Sequence, residues 1–304
     1  MKIAIVGGGG GVGSSVAFNL LVRPEPFEVG LVDGHSGMAR SHEMDLQQVV
    51  AAGASGSIGV IRHDDVVGAD VVVLAAAAPL TINRSRMVYL RENLPILRTV
   101  TAAITADWPG TVVVVTNPVD PLCTWLRREL RLDRRRVLGY TANDSLRLRT
   151  AVGDELGVPA HSVDAWVLGE HGDTCVPLYD RVTVDGEPVT LTAAQRAVAE
   201  DFLRNWYIRH VALDSGRSST WTSGHVMARM IAELLGPPTA QPWPASVVLE
   251  GEYDIAGVAL TVPVTLGHGG VERIHEWQLT DDQAAGLRAG AAIVRESLAA
   301  VDLA

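Results

Sequence analysis

Short apolar runs alternate with longer segments of helical period through the first half of the chain. Asp70–Leu74 and Thr111–Val115 are almost continuously apolar, which is typical of strands buried on both faces of a sheet. This alternation predicts a doubly wound parallel sheet covered by helices on both faces. The other elements predicted here are strands at Ile3–Val6, Glu28–Val32 and Val137–Gly139 and helices at Ser14–Val22, Ser85–Ala106 and Leu122–Arg131.

The pattern changes near residue 142, where helices and alternating strands become mixed. Asp185-Gly186 predicts a hairpin because both residues tolerate positive φ. Thr280 and Gln283 are spaced as a capping box that opens a final helix. We therefore predict an α/β protein of two domains, residues 1–142 and 143–304, the second a mixed α/β domain. Its other predicted elements are helices at Asn143–Leu156, Thr192–Leu213 and Gly224–Leu235 and strands at Val163–Leu168, Ser246–Glu250 and Val258–Val262.

Composition excludes several classes of protein. Hydrophobic residues make up 47% of the chain, too many for a disordered protein. The net charge of −10 disfavours nucleic acid and anionic membrane surfaces as partners, and we expect neither a transmembrane helix nor a secretion signal. The cysteines, Cys123 and Cys175, are too few for a disulfide framework and fit reduced thiols. We expect a cytoplasmic protein, and no ligand cluster indicates a metal site.

A run of glycines, Gly7–Gly13, follows the first predicted strand and is interrupted only by Val12. The register Gly8-x-Gly10-x-x-Gly13 fits the dinucleotide-binding fingerprint. Such glycines permit a tight turn, and backbone N–H groups at the start of the next helix can then approach a pyrophosphate. One glycine is surplus, so the register can shift by one residue. The alternative is a flexible glycine turn that binds no ligand.

An acidic residue, Asp33, stands twenty residues after Gly13, at the end of the next predicted strand. A carboxylate there can accept hydrogen bonds from the ribose hydroxyls and would repel a 2′-phosphate. The first domain is therefore predicted to be a Rossmann domain that binds NAD in preference to NADP.

Further segments of the chain resemble the lactate/malate dehydrogenase family in their order and spacing. They are the glycine turn with Asp33, Thr116–Asp120, Asn143–Arg149, Gly169–Asp173 and Val262–Gly267. The resemblance covers nearly the whole chain. It implies a Rossmann-like NAD domain, a mixed α/β substrate domain, a homodimer or homotetramer, and NAD-dependent interconversion of a small L-2-hydroxy acid and its 2-oxo acid.

The reaction needs a base for the hydroxyl proton, and histidine has a suitable pKa. Of the nine histidines, only His171 lies in a glycine-flanked turn directly after a predicted strand. The resemblance implies that Asp144 accepts a hydrogen bond from this imidazole, and a buried anion there would raise its pKa. The alternative for Asp144 is an acid that interacts with a helix N-terminus.

Substrate contacts are implied by the same resemblance. Arg147, three residues after Asp144 on one side of a helix, would clamp the substrate carboxylate. Arg86, at the end of a mobile lid, would polarise the substrate carbonyl; the alternative is an exposed arginine. Asn117 would lie near both the nicotinamide and the substrate. The further residues implied to contact the cofactor are Val12, Ala75, Asn93, Val115 and Ser219.

The chain departs from the family at positions that determine substrate choice. Leu80 stands where malate enzymes carry arginine and lactate enzymes glutamine, and a leucine cannot pair with a second carboxylate. Either the substrate side chain is neutral, or Arg84 supplies the second cation and the protein is an ordinary malate dehydrogenase. Asn143 replaces an apolar residue and either binds a polar substrate group or caps a helix; capping is favoured. A catalytically silent NAD-binding sensor is a third alternative.

Overall fold

The computed structural model describes residues 1–78, 86–216 and 219–302. The strands are β1 (Lys2–Val6), β2 (Glu28–Val32), β3 (Ser57–Val60), β4 (Val71–Leu74), β5 (Thr111–Val114), β6 (Val137–Tyr140), β7 (Val163–Asp164), β8 (Val167–Leu168), β9 (Val176–Pro177), β10 (Thr183–Val184), β11 (Glu187–Pro188), β12 (Trp243–Glu250), β13 (Ala256–Gly267) and β14 (Gly270–Ile274). The α-helices are α1 (Gly11–Leu21), α2 (Ser36–Ala51), α3 (Arg86–Val100), α4 (Val119–Leu130), α5 (Ala142–Leu156), α6 (Ala193–Ala212), α7 (Trp221–Leu235) and α8 (Asp281–Asp302).

A parallel sheet forms the first half of the molecule, in the order β3-β2-β1-β4-β5-β6. The central strands are completely apolar on both faces, as Val71–Leu74 shows, because helices cover both sides. The strand order reverses between β1 and β4. In open α/β sheets a ligand crevice lies at such a reversal, outside the carboxyl ends of the strands.

The same sheet continues beyond residue 142. Strand β12 pairs antiparallel with β6, and β13 and β14 follow, which gives nine strands in one sheet among the described residues. Pairing with β12 protects β6, whose residues are all buried and would otherwise form an exposed edge. The predicted second domain therefore contributes strands to the sheet of the first. It also holds a separate apolar core, which includes Leu148, Val163 and Leu203.

Several predicted elements are confirmed and others were missed. Asp185 and Gly186 have positive φ and join β10 to β11 in the predicted hairpin. Thr280 and Gln283 exchange the two hydrogen bonds of a capping box. Helix α2 went unpredicted because its sequence is polar and only three of its residues are buried. The predicted strand Val163–Leu168 is two short strands, β7 and β8, which belong to different small sheets. No helix in the described ranges has the length and apolarity needed to cross a membrane.

Candidate active site

The glycine turn between β1 and α1 requires glycine at two points. Gly7 has a φ of +87°, and a Cβ there would lie 2.4 Å from the Ala76 nitrogen. A Cβ at Gly13 would lie 2.2 Å from the Gly7 carbonyl oxygen, so the helix can pack on the strand only without a side chain. The turn therefore depends on glycine at Gly13, which lies in the predicted register, and at Gly7, which precedes it. Gly10 immediately precedes the first residue of α1.

The turn presents donors suited to a phosphate. The first N–H groups of α1 have no partner within the helix, and the helix dipole favours an anion there. At the end of β2, Asp33 accepts hydrogen bonds from the backbone N–H of Gly9 and of His35, each at 2.8 Å. Its carboxylate oxygens keep lone pairs for further donors. This arrangement fits a dinucleotide whose ribose hydroxyls meet Asp33.

The ends of β4 and β5 are held together beside this turn. The buried Asn93 accepts from the Ala78 N–H at 2.7 Å and donates to the Asn117 carbonyl at 2.8 Å. Thr116 Oγ1 donates to the Ala76 carbonyl at 2.8 Å. The sequence predicts that Asn93 contacts the cofactor. In the structure, its side-chain amide forms hydrogen bonds with two backbone segments that border the cofactor crevice. A tethering function could not be predicted because it depends on which strand ends lie together.

The remaining predicted cofactor residues lie around the same crevice. Ala75 and Val115 directly follow β4 and β5. Val12 is half-buried in the first turn of α1. The segment before α7 reaches this turn, since a Cβ at Gly11 would lie 2.9 Å from the Thr220 methyl group. Ser219, the neighbour of Thr220, therefore lies near the nucleotide turn.

His171 and Asp144 form the hydrogen bond that the family resemblance implies. Nδ1 of His171 lies 2.5 Å from Oδ2 of Asp144, and both side chains are largely buried. In the part of the chain that the structure describes, no residue hydrogen-bonds Nε2 of His171. One ring nitrogen is thus held by a carboxylate while the other is available for proton transfer.

The charges around His171 favour its protonated form. Burial alone would lower the pKa of His171, but the charge of Asp144 and the hydrogen bond to it raise the pKa, helped by the charge of Asp120. Together these interactions outweigh burial, and the pKa lies above the ordinary 6.5. An imidazole with a raised pKa is a better proton acceptor and keeps its proton to a higher pH than an ordinary histidine.

A second buried carboxylate, Asp120, holds the backbone of the histidine loop. Its Oδ2 accepts from the His171 N–H at 2.6 Å, and its Oδ1 accepts from the Ser246 hydroxyl at 2.5 Å. Burial raises the pKa of Asp120 to about 7, although both hydrogen bonds favour the anion. Asp120 lies in one of the family-like segments, but its partners come from β12 and from the loop after β8, which the sequence could not place beside it.

Arg147 contacts the same carboxylate as His171. Its Nη1 donates to Oδ1 of Asp144 at 3.0 Å, so Asp144 binds the histidine through one oxygen and the arginine through the other. The guanidinium also lies 4.2 Å from the ring centroid of Trp206 on α6. The structure therefore brings three of the predicted residues into one cluster and adds an unpredicted tryptophan.

The sequence models of two domains match nearly the whole chain. The NAD-binding domain of lactate/malate dehydrogenase matches residues 1–139, and the α/β C-terminal domain of lactate/malate dehydrogenase matches residues 141–302. The chain belongs to the lactate/malate dehydrogenase family. It is therefore an NAD-dependent oxidoreductase that acts on a CH–OH group.

Relatives of this dehydrogenase carry both family names. A malate dehydrogenase of Halobacterium salinarum is 33% identical over 93% of each chain. An L-lactate dehydrogenase of Mycoplasma mobile is 28% identical over 98% of this chain and 95% of its own. The crystal structure of a minor L-lactate dehydrogenase from Enterococcus mundtii superposes with a TM-score of 0.89 at 26% identity, covering 99% of this chain and 98% of the other.

The interpretation of Asn143 as a helix cap is wrong for this dehydrogenase. Helix α5 begins at Ala142 and its N-cap residue is Thr141, so Asn143 already lies inside the helix. Its Oδ1 accepts from the Tyr140 hydroxyl at 2.8 Å, and its Nδ2 donates to Ser223 Oγ at 3.1 Å. Among the described residues, nothing else bonds to its second lone pair or second amide hydrogen, so both are available to a ligand. The other interpretation, a hydrogen bond to a polar substrate group, stays a prediction.

The lid of the dehydrogenase lies mostly outside the described residues. This applies to Leu80 and Arg84, the two residues predicted to determine substrate choice. Arg86 is the first residue of α3, which places its backbone at the predicted end of the lid.

Proposed function

We propose that this dehydrogenase interconverts a small L-2-hydroxy acid and its 2-oxo acid, with His171 as the general acid and base. The main support for this proposal is the cluster in which Asp144 binds both His171 and Arg147. It places a proton-transfer group beside a cation that can bind a carboxylate. An enzyme that oxidises a 2-hydroxy acid needs the first for the hydroxyl proton and the second for the carboxylate. NAD, when bound, supplies the hydride acceptor of the reaction.

The protein residues handle the proton. In the oxidation, Nε2 of His171 accepts the hydroxyl proton, and Asp144 stabilises the imidazolium that results. In the reduction, the imidazolium returns this proton to the carbonyl oxygen. The Asp120 carboxylate keeps the His171 backbone in place through both directions.

The other groups orient the substrate. Arg147 binds its carboxylate through two N–H groups. Arg86 stabilises the negative charge that develops on the carbonyl oxygen, and Asn117, at the end of β5, contacts substrate and nicotinamide. In this scheme residues 1–142 bind NAD, and residues 143–304 supply the histidine and the carboxylate clamp.

We propose further that the substrate carries a neutral side chain. Leu80 offers no charge to a second carboxylate, and burial of an unpaired carboxylate against it would cost several kcal/mol. The alternative is a malate dehydrogenase in which Arg84 binds the second carboxylate. The family includes enzymes of both names, so the choice depends on the lid.

A panel of 2-oxo acids, followed by NADH absorbance, tests the proposal. We expect pyruvate or a bulkier neutral 2-oxo acid to give a higher kcat/KM than oxaloacetate. A clear preference for oxaloacetate that Arg84→Ala abolishes would instead establish the malate alternative. NADH binding without turnover of any member of the panel would indicate a sensor.

We also propose that the enzyme is a homodimer or homotetramer in the cytoplasm. Large apolar side chains are exposed on or beside the first two helices: Phe18 in the last turn of α1, Val22 directly after it, and Met44 on α2. Both cysteines are buried thiols, as expected in a reducing compartment. Light scattering should give at least twice the chain mass of 32.3 kDa, and a mass of one chain would contradict the oligomer.

A further inference from the structure

The guanidinium of Arg147 is held at one corner and on one face. Its Nη1 donates to Asp144 at 3.0 Å, and its central carbon lies over the indole of Trp206, 4.2 Å from the ring centroid. Nε and Nη2 make no hydrogen bond to any residue within 1–78, 86–216 or 219–302. The edge formed by these two nitrogens therefore remains for a carboxylate.

The indole is itself well supported. Trp206 lies on α6, which begins with a capping box between Thr192 and Gln195. The imidazole of His210, one turn further along α6, stacks on the indole with 5.0 Å between centroids and 11° between planes. Trp206 is half-buried, and the Arg147 side chain is 16% exposed. The plane of the indole is thus set by its helix and by a second ring.

The orientation of the guanidinium plane matters for binding a carboxylate. A guanidinium binds a carboxylate through two parallel hydrogen bonds only when the two groups are coplanar. Asp144 fixes one corner of the guanidinium but leaves it able to rotate about that contact. Contact with an aromatic face at 4.2 Å restricts this rotation, since the ring attracts the cation and a planar guanidinium stacks on such a face.

We propose that Trp206 is a positioning residue for the substrate carboxylate: its indole fixes the plane in which Arg147 presents the Nε–Nη2 edge. This inference rests on the proposed function of Arg147 as the carboxylate clamp. It adds an aromatic residue, supplied by α6, to the determinants of substrate affinity. Because the effect acts through binding geometry, it alters the affinity for the 2-oxo acid much more than the proton transfer at His171.

The test compares Trp206→Ala and Trp206→Phe with Ile208→Ala, a control at an exposed position of the same helix. Two quantities are measured: steady-state kinetics with the best 2-oxo acid of the panel, and the Kd of oxamate, an unreactive analogue of a 2-oxo acid, in the presence of NADH. We expect Trp206→Ala to raise the KM and the oxamate Kd roughly tenfold, with kcat changed less than about threefold. Trp206→Phe keeps a ring face and should recover most of the affinity. Ile208→Ala and the Kd of NADH should not change.

A purely structural function of Trp206 predicts a different result. Trp206→Ala would then lower the unfolding temperature but leave the oxamate Kd as in the wild type, and that outcome would overturn the proposal. A fall in kcat without a change in KM would overturn it as well. If Trp206→Ala does not fold, Trp206→Leu, which keeps apolar bulk without a ring face, replaces it in the same comparison.

The same measurements distinguish failure of the proposed reaction from failure of the positioning by Trp206. Wild-type protein that reduces no 2-oxo acid contradicts the proposed dehydrogenase reaction. Wild-type turnover together with unchanged oxamate binding by Trp206→Ala contradicts only the positioning by Trp206.

Discussion

His171→Asn is expected to lower turnover by about 10²- to 10⁴-fold, the usual contribution of general acid–base catalysis, and to leave NADH affinity unchanged. Asparagine keeps a polar group beside Asp144, but it cannot carry a proton between the substrate and the enzyme. The main-chain N–H of residue 171 still donates to Asp120, so the loop should keep its position. Steady-state rates and a fluorescence titration with NADH measure the two quantities.

The matched control is His161→Asn, which changes an exposed histidine in the loop before β7. Its turnover should equal that of the wild type. Equal turnover of His171→Asn and wild type would exclude the proposed mechanism, and a parallel loss of NADH affinity would point to a damaged fold instead.

The pH dependence gives a second measure of the same histidine. The reduction needs the imidazolium, so its kcat/KM should fall as the pH rises through the pKa of His171. The oxidation needs the neutral imidazole and should gain rate over the same interval. Because Asp144 raises this pKa, both changes should be centred above the ordinary 6.5. A midpoint at or below that value would contradict the stabilisation of the imidazolium by Asp144.

The sequence predicted the local parts of this fold better than the long-range ones. Continuous apolar runs identified β4 and β5 because both faces of these strands are buried. The Asp185-Gly186 turn and the Thr280 capping box depend on neighbours within a few residues, and both are confirmed. Strand β12 extends the first sheet by pairing with β6, which lies more than a hundred residues earlier. No local sequence pattern indicates this pairing.

The candidate site shows the same limit. His171, Asp144 and Arg147 could be named because family-like segments carry them, and the structure brings them together. Trp206 was not predicted, since a single tryptophan in a predicted helix gives no indication of which side chain it covers. For Asn143 only the capping interpretation is wrong: the N-cap lies two residues earlier, at Thr141, which places Asn143 inside α5.

Arg147→Gln is expected to lower kcat/KM for the 2-oxo acid by roughly 10²- to 10³-fold. Truncating one partner of a buried, hydrogen-bonded charge pair costs about 2–5 kcal/mol, and the substrate carboxylate would lose both its charge partner and its two parallel hydrogen bonds. Most of the loss should be in affinity, measured as KM and as the Kd of oxamate in the presence of NADH. Arg147→Lys keeps the charge without the planar fork, so it should recover only part of the loss.

Arg149, two residues after Arg147 on the same helix, is a matched control because it pairs with a different carboxylate. Its Nη2 donates to Asp164 at 2.5 Å, at the exposed end of β7 and away from the histidine. An exposed ion pair of this kind contributes about 0–1 kcal/mol, so Arg149→Gln should leave kcat/KM within a few-fold of the wild type. If Arg149→Gln lost more kcat/KM than Arg147→Gln, the substrate carboxylate would be bound by Arg149 and the assignment to Arg147 would be wrong. Equal losses in both would mean that helix α5, and not a particular guanidinium, determines the affinity for the substrate.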